Sequence, residues 1–462
     1  MTARTATVGT PTPGASHASH ASLAALDHAY LWHPYTQHAV APAPLPIARA
    51  EGALLFDTTG RPIIDAISSW WVTLHGHAEP TIAAAIAEQA RTLEQVIFAG
   101  FTHAPAADLA AGLAARLPDG LQRVFLSDNG STAVEVAIKI ALQYWSNRGV
   151  PRPAIGVLEH AYHGDTFGAM SASARGLFTA PYAAHLFDVV RLGDPLEPES
   201  LLASLDRALD GGPDRSHPLA AVLVEPAVQA AGGMRVWSAE TLRAVRERTA
   251  AAGVLLIADE VLTGFGRTGP LFACDGAGIV PDVICLSKGI TGGFLPLGAT
   301  VVREPIFEAF LGTDRRRTLF HGHSYTANPI ACAAACASLA LLDDRSATAR
   351  AAIERAHVTH LGRLASHPRV RHPRIAGTIA AFDIGSTPGA AAGAASGAAA
   401  GASATDGYLS AVGPRLAAFA LARGVLLRPL GDVVYLLPPY CVTDAQLDAV
   451  YGVISEFLEA EA

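Results

Sequence analysis

The stretch from Val254 to Gly293, VLLIADEVLTGFGRTGPLFACDGAGIVPDVICLSKGITGG, decides how the rest of the chain is read. It holds two short apolar runs, Val254 to Ala258 and Val283 to Leu286, with the length and composition of buried strands. Each run leads into charge: Asp259-Glu260 follows the first, and Ser287-Lys288 follows the second. Charged side chains at the carboxyl ends of parallel strands face the crevice where open α/β sheets bind ligands. The residues after Lys288, Gly289 and then Thr291-Gly292-Gly293, are small enough for a ligand to approach the backbone closely.

An amine and a carboxylate in one such crevice suit pyridoxal phosphate chemistry. Lys288 is set to bond the cofactor aldehyde. Asp259 is set to keep the pyridine nitrogen protonated, so that the ring accepts electrons from the substrate's α-carbon. Taken singly, Lys288 reads more readily as a solvated lysine and Asp259 as a helix cap. The pairing gives them meaning.

Upstream, Val124 to Lys139 reads as a strand, a small polar turn and a helix. The capping-box spacing of Thr132 and Glu135 predicts that the helix starts there, with its free N–H groups facing Asn129-Gly130-Ser131 as an anion site. A further strand, Ala154 to Leu158, leads into Glu159-His-Ala-Tyr-His-Gly-Asp165, where Tyr162 is suited to stack on a flat ring and His163 and Asp165 to support it. Ala221 to Val224 is one more buried strand and ends at Glu225. Strands alternating with helices are the α/β signature.

Nearer the N-terminus, Leu54 to Ile67 predicts a hairpin turning at Thr58-Thr59-Gly60, followed by Ser68-Ser-Trp-Trp71, a loop whose indoles can wall a pocket. Residues 1–24 read as a disordered tail. Residues 25–65 begin a smaller domain, 66–342 make the large domain, and 343–462 complete the small α+β domain. The low-complexity run Ser386 to Ala404 reads as a flexible insertion without chemistry. Val425 to Leu430 and Val433 to Tyr440 predict a hairpin carrying Arg428, a cation in an apolar strand that requires an anion: a substrate carboxylate or a structural acid.

With 462 residues, half of them hydrophobic, the chain can bury a large core. Its net charge of -8 argues against a nucleic-acid partner. Five cysteines without a C-x-x-C pair point to a reduced cytoplasmic setting, and no apolar stretch is long enough for a membrane span. The pairs His75/His77, His160/His163 and His321/His323 lack a recognisable ligand spacing, so no metal is expected.

These motifs resemble the class III, fold-type I pyridoxal-phosphate-dependent aminotransferases. The resemblance rests on Trp32-His-Pro-Tyr-Thr-Gln37, Ser68-Ser-Trp-Trp71, Phe125 to Glu135, Tyr162 to Gly168, Ile257 to Gly269, Leu286 to Gly293, and Arg428-Pro429 through Tyr440. It implies a large domain with a mainly parallel sheet flanked by helices, a smaller α+β domain, and a homodimer with shared active sites. By resemblance, Lys288 is the catalytic lysine, Asp259 meets the pyridine nitrogen, Gly130 and Ser131 bind phosphate, and Tyr162 stacks on the ring. Tyr35, Trp70, Trp71, Gly322 and Arg428 are implied in the substrate pocket, with Ser324 reaching phosphate across the dimer. Gly322-His323-Ser324 departs from the family's Gly-Pro-Thr and keeps the hydroxyl. The first, second and last motifs are similar to those of members that aminate 8-amino-7-oxononanoate in biotin synthesis. That implies S-adenosylmethionine as donor, with lysine, or another ω-amine substrate, as the alternative.

Overall fold

Seven strands form the central sheet of the computed structural model, which describes residues 20–210, 218–385 and 408–461. Their order across the sheet is Leu121–Ser127, Gly298–Arg303, Val283–Leu286, Leu255–Asp259, Leu219–Val224, Ala154–Val157 and Val190–Arg191. Gly298–Arg303 runs antiparallel to both neighbours, and every other pairing in this sheet is parallel.

Side-chain alternation splits the central strands between two cores. Leu255, Ile257, Val283 and Cys285 pack with the helix Gly130–Asn147. Leu256, Ala258, Ile284 and Leu286 join the opposite core with Leu242 and Val245 of the helix Ala239–Ala251 and Ala331 and Ala335 of Pro329–Ala340. Because both faces are covered, these strands are apolar along their whole length. Burying each Leu, Ile or Val side chain contributes about 1.5–3 kcal/mol. Parallel pairing then brings Asp128, Leu158, Glu225, Asp259 and Lys288, each at or just past a strand's carboxyl end, to one edge of the sheet.

A second body of structure joins both ends of the chain. The strands Ile47–Glu51, Leu54–Asp57, Pro62–Asp65 and Val425–Leu426 make one sheet, and Val370–Ala376, Ile379–Ile384 and Val433–Leu436 make another. Helices Asp344–Leu364, Val412–Ala422 and Asp444–Ala460 close over them in a shared core. The hairpin of Leu54 to Ile67 forms as expected, its turn held by Asp57 Oδ1, which accepts from the Thr59 and Arg61 amides.

Three readings change. The helix after Ser127 begins at Gly130, not at Thr132: Asn129 is the N-cap, its side chain accepting from Thr132 N at 2.9 Å while the Thr132 hydroxyl accepts from Asn129 N. Asn is a strong cap, so it captures the helix start ahead of the Thr132/Glu135 pair. Val425–Leu426 and Val433–Leu436 do not form a hairpin. The first pairs with Pro62–Asp65 and the second with Ile379–Ile384, leaving a single bridge, Leu430 to Val433, between the two runs. The helix His20–Tyr30 also occupies the end of the segment read as a tail. The insertion 386–404 lies outside the described residues. Among the described residues no helix is long and apolar enough to cross a membrane.

Candidate active site

Lys288 and Asp259 line one cleft of about 720 Å³ at the carboxyl edge of the sheet. Lys288 follows its strand with φ of +44°, a left-handed conformation that costs a non-glycine residue about 1–3 kcal/mol. The surroundings hold it there. Ser287 Oγ donates to Leu297 O at 2.7 Å, and Gly289 abuts Leu74 so closely that a Cβ would lie 2.8 Å from Leu74 Cδ1. Burial lowers the Lys288 amine below the usual lysine range, while the Asp259 and Glu225 carboxylates oppose that shift.

Asp259 is nearly buried. Its Oδ2 lies 2.7 Å from His163 Nδ1, and its Oδ1 accepts from Val261 N at 3.1 Å. His163 Nε2 has no partner among the described residues. Sequence reasoning missed Glu225 as a member of this group. Burial pushes its carboxyl up to about 7, Asp259 adds to the shift, and His163 and two backbone amides oppose it. Those amides are Tyr162 N at 3.0 Å and Ala230 N at 3.1 Å, so Glu225 fixes the backbone that carries Tyr162. A strand ending in an acid before Pro226 was the available signal.

At the other end of the cleft, Gly130 and Ser131 are the first two residues of their helix, ahead of its first backbone bond, Ala133 N to Asn129 O. Their amides therefore face outward as an anion site. Space is tight here: a Cβ on Gly130 would lie 2.7 Å from Val261 Cγ1. Ser131 Oγ accepts from Asp165 N at 3.1 Å. Asp165 also receives the Tyr162 hydroxyl at 3.0 Å and the Tyr35 hydroxyl, and burial together with Asp165 pushes Tyr35 up to about 12.

A second, more apolar cleft of about 580 Å³ shares Lys288, Tyr162 and Trp71 with the first and brings in Tyr35, Trp70 and Arg428. The tryptophan pair sits in a contorted turn, with positive φ at Ser68, Ser69 and Trp71. Buried Asp65 organises that turn, accepting from Ile67 N, from Ser69 N and from the Ser69 hydroxyl, with His77 against it. Trp71 turns inward and Trp70 outward. Arg428 lies with its guanidinium carbon 4.4 Å from the Trp70 ring centre, and no ion pair between it and a carboxylate is seen among the described residues. Phe178 and Tyr408, unmarked by any sequence motif, also line this cleft.

Gly322 and Ser324 line neither cleft of their own chain. They belong to a segment bearing the exposed rings of Phe320 and Tyr325. Of the histidine pairs, His163 faces Asp259 and His75 faces Ser338. Ligand atoms of Glu159, His160 and Asp194 lie within 4.8 Å of one another, but Asp194 is already engaged by Arg235 and by Leu196 N.

The family description "Aminotransferase class-III" matches residues 35–458, nearly the whole chain. The chain belongs to the class III aminotransferases. This aminotransferase is 51% identical over 442 residues to a Synechococcus elongatus protein named adenosylmethionine-8-amino-7-oxononanoate aminotransferase, covering 94% of this chain and 99% of that one. Its structure resembles that of the enzyme of the same name from Methanocaldococcus jannaschii, with TM-score 0.85, 31% identity and coverage of 94% and 99%. It also resembles a thermostable (S)-enantioselective omega-transaminase from Thermomicrobium roseum, with TM-score 0.86, 29% identity and coverage of 96% and 100%.

Class III aminotransferases use pyridoxal 5'-phosphate, and the residues present fit it. The first cleft offers an amine, a buried carboxylate, an aromatic side chain and an N-terminal helix turn, which match the aldehyde, pyridine nitrogen, ring face and phosphate. The buried, unpartnered His163 Nε2 agrees with a space shaped for a bound group.

Proposed function

We propose that this aminotransferase transfers an amino group from S-adenosylmethionine to 8-amino-7-oxononanoate, giving 7,8-diaminononanoate for biotin synthesis. The observation that carries the reading is Arg428, a guanidinium free of carboxylate partners among the described residues, in an aromatic cleft that shares Lys288 with the polar one. A long keto acid with a terminal carboxylate suits that arrangement. The names of the relatives support it.

When bound, pyridoxal phosphate supplies an electron sink that makes a substrate's α-proton removable. Lys288 Nζ takes that proton from the donor carbon in the first half-reaction and delivers one to C7 of the keto acid in the second. Its depressed pKa keeps more of the amine free at neutral pH, as a base requires. The Asp259 carboxylate, oriented by His163 and Val261 N, holds the proton on the pyridine nitrogen. Gly130 and Ser131 bind phosphate, Tyr162 packs on the ring, and Arg428 takes the keto acid's carboxylate. Tyr35, Trp70 and Trp71 wall the substrate and exclude water.

Gly322 and Ser324 act in the neighbouring site of a homodimer, Ser324 of the partner subunit meeting the phosphate. The exposed apolar side chains Ile97, Phe101, Phe320 and Tyr325 support such an interface. Residues 66–342 form the cofactor domain, and 25–65 with 343–462 form the smaller one, in keeping with the packing of Ile64 against a core of residues beyond 360, although Ala66 at the boundary joins that same core. We place the enzyme in the cytoplasm, in keeping with cysteines that form no disulfide among the described residues.

The test is an assay of purified enzyme with 8-amino-7-oxononanoate and, separately, S-adenosylmethionine, lysine and simple ω-amines. Amination of the keto acid from S-adenosylmethionine is expected. Amination from lysine alone refutes the donor. Activity confined to ω-amines and unrelated ketones supports the second reading, which the likeness to the omega-transaminase favours.

A further inference from the structure

We propose that Phe178 and Tyr408 form the subsite for the flat heteroaromatic group of the amino donor, an inference that rests on the S-adenosylmethionine reading above. An adenine needs an open aromatic face; Trp71 is buried, and Trp70, though 38% exposed, has one face taken by a cation. The Arg428 guanidinium covers Trp70 at 4.4 Å. Trp71 is only 5% exposed, with Lys288 Nζ 5.1 Å from its ring centre and Tyr435 packed edge-on at 5.8 Å. Tyr35 is tied by its hydroxyl to Asp165 and meets both Trp70 and Phe178 edge-on at 5.7 Å.

Phe178 and Tyr408 are about as exposed as Tyr35 and Trp70, and among the described residues no cation lies over either ring. They lie 230 positions apart in the chain and meet at 4.7 Å with their planes 81° apart, making a right-angled corner in the cleft wall. Each remains about two-fifths exposed, at 41% and 40%. Two large apolar rings left open inside a cleft mark a surface that a ligand covers. Such a corner accepts a flat base with its face on one ring and its rim against the other. Neither lysine nor the aliphatic keto acid has a ring to fill it, so the corner discriminates between donors and acts in one half of the reaction.

The experiment follows the two half-reactions of the holoenzyme separately by cofactor absorbance, using wild type, Phe178→Ala, Tyr408→Ala and Tyr408→Phe. Stacking of a base on an aromatic side chain is strong enough that each alanine variant should need about tenfold more S-adenosylmethionine for half-maximal conversion. The same variants should convert with 8-amino-7-oxononanoate within about threefold of wild type, which also shows that they fold and hold cofactor. Tyr408→Phe, which keeps the ring, should match wild type. Equal losses in both half-reactions, or alanine variants unchanged with S-adenosylmethionine, overturn the subsite alone. A wild-type enzyme that lysine converts and S-adenosylmethionine does not overturns the donor reading, and the subsite with it.

Discussion

Replacing Gly164 with alanine adds one methyl group against Ser131, at the end of the cleft proposed to take the phosphate. Gly164 has φ of +130°, a region that an L-residue enters at a cost of about 1–3 kcal/mol. A Cβ there would lie 2.0 Å from Ser131 Oγ, 2.7 Å from Ser131 Cβ and 2.9 Å from Ser131 Cα. Rotating the hydroxyl relieves only the first of these clashes, so the first turn of the helix Gly130–Asn147 has to move. Overpacking of that kind adds about 1–3 kcal/mol, for a total of about 2–6 kcal/mol. Part of the loss falls on cofactor affinity, because the displaced turn carries the Gly130 and Ser131 amides. Urea unfolding of the cofactor-free protein and absorbance titration of pyridoxal phosphate measure the two parts. We expect Gly164→Ala to lose at least about 2 kcal/mol across them. Adding Ser131→Gly removes Oγ and Cβ but leaves the clash with the backbone at position 131 and the φ strain, so it should restore about half of the lost stability. Wild-type stability and cofactor affinity in Gly164→Ala would refute the packing argument.

Lys288→Ala should abolish turnover while the protein stays folded, since it removes the proton carrier without emptying a core; substantial residual transamination sinks that role. Arg428→Ala should raise KM for the keto acid by about tenfold or more and leave KM for the donor nearly unchanged, as loss of one charge-assisted pair implies, whereas equal changes would mark the arginine as structural. Glu260 provides a pH test. Burial pushes its carboxyl up to about 7 from the ordinary 4.5, against hydrogen bonds from Cys274 and Ala273. A carboxyl with a raised folded pKa binds its proton more tightly in the folded state. Its contribution to stability is therefore full below about pH 4.5 and is lost as pH rises through about 7, a change of about 3 kcal/mol. Urea midpoints of Glu260→Gln should fall less steeply than those of wild type over that window, and parallel profiles would contradict the burial.

Strands legible as uniform apolar runs, Leu255–Asp259 and Val283–Leu286 among them, appear within a residue of their expected bounds, because a strand covered on both faces needs no partner-specific pattern. The helices Pro80–Thr92 and Pro329–Ala340 each open with a proline in the first turn, where its missing N–H costs no hydrogen bond. Where two local signals competed, at Asn129 and Thr132, the stronger cap took the helix start. Where two apolar runs lay close in the chain, at Val425 and Val433, each found a different sheet. Adjacency in sequence predicts pairing only when no other strand edge is available, and here two were.

By itself the sequence determined the alternating α/β class, the positions at which strands lead into Asp259 and Lys288, and the small-residue turns around them, because each of these is encoded within a few consecutive residues. Only the tertiary structure decided that His163 orients Asp259, that Glu225 fixes Tyr162, that Arg428 lies over Trp70, and that Phe178 and Tyr408 meet in one corner. Those contacts join residues 96, 63 and 230 positions apart in the hydrogen bonds of His163 and Glu225 and in the Phe178–Tyr408 corner. Packing of the whole chain brings such groups together, and no local pattern of hydropathy or spacing records it.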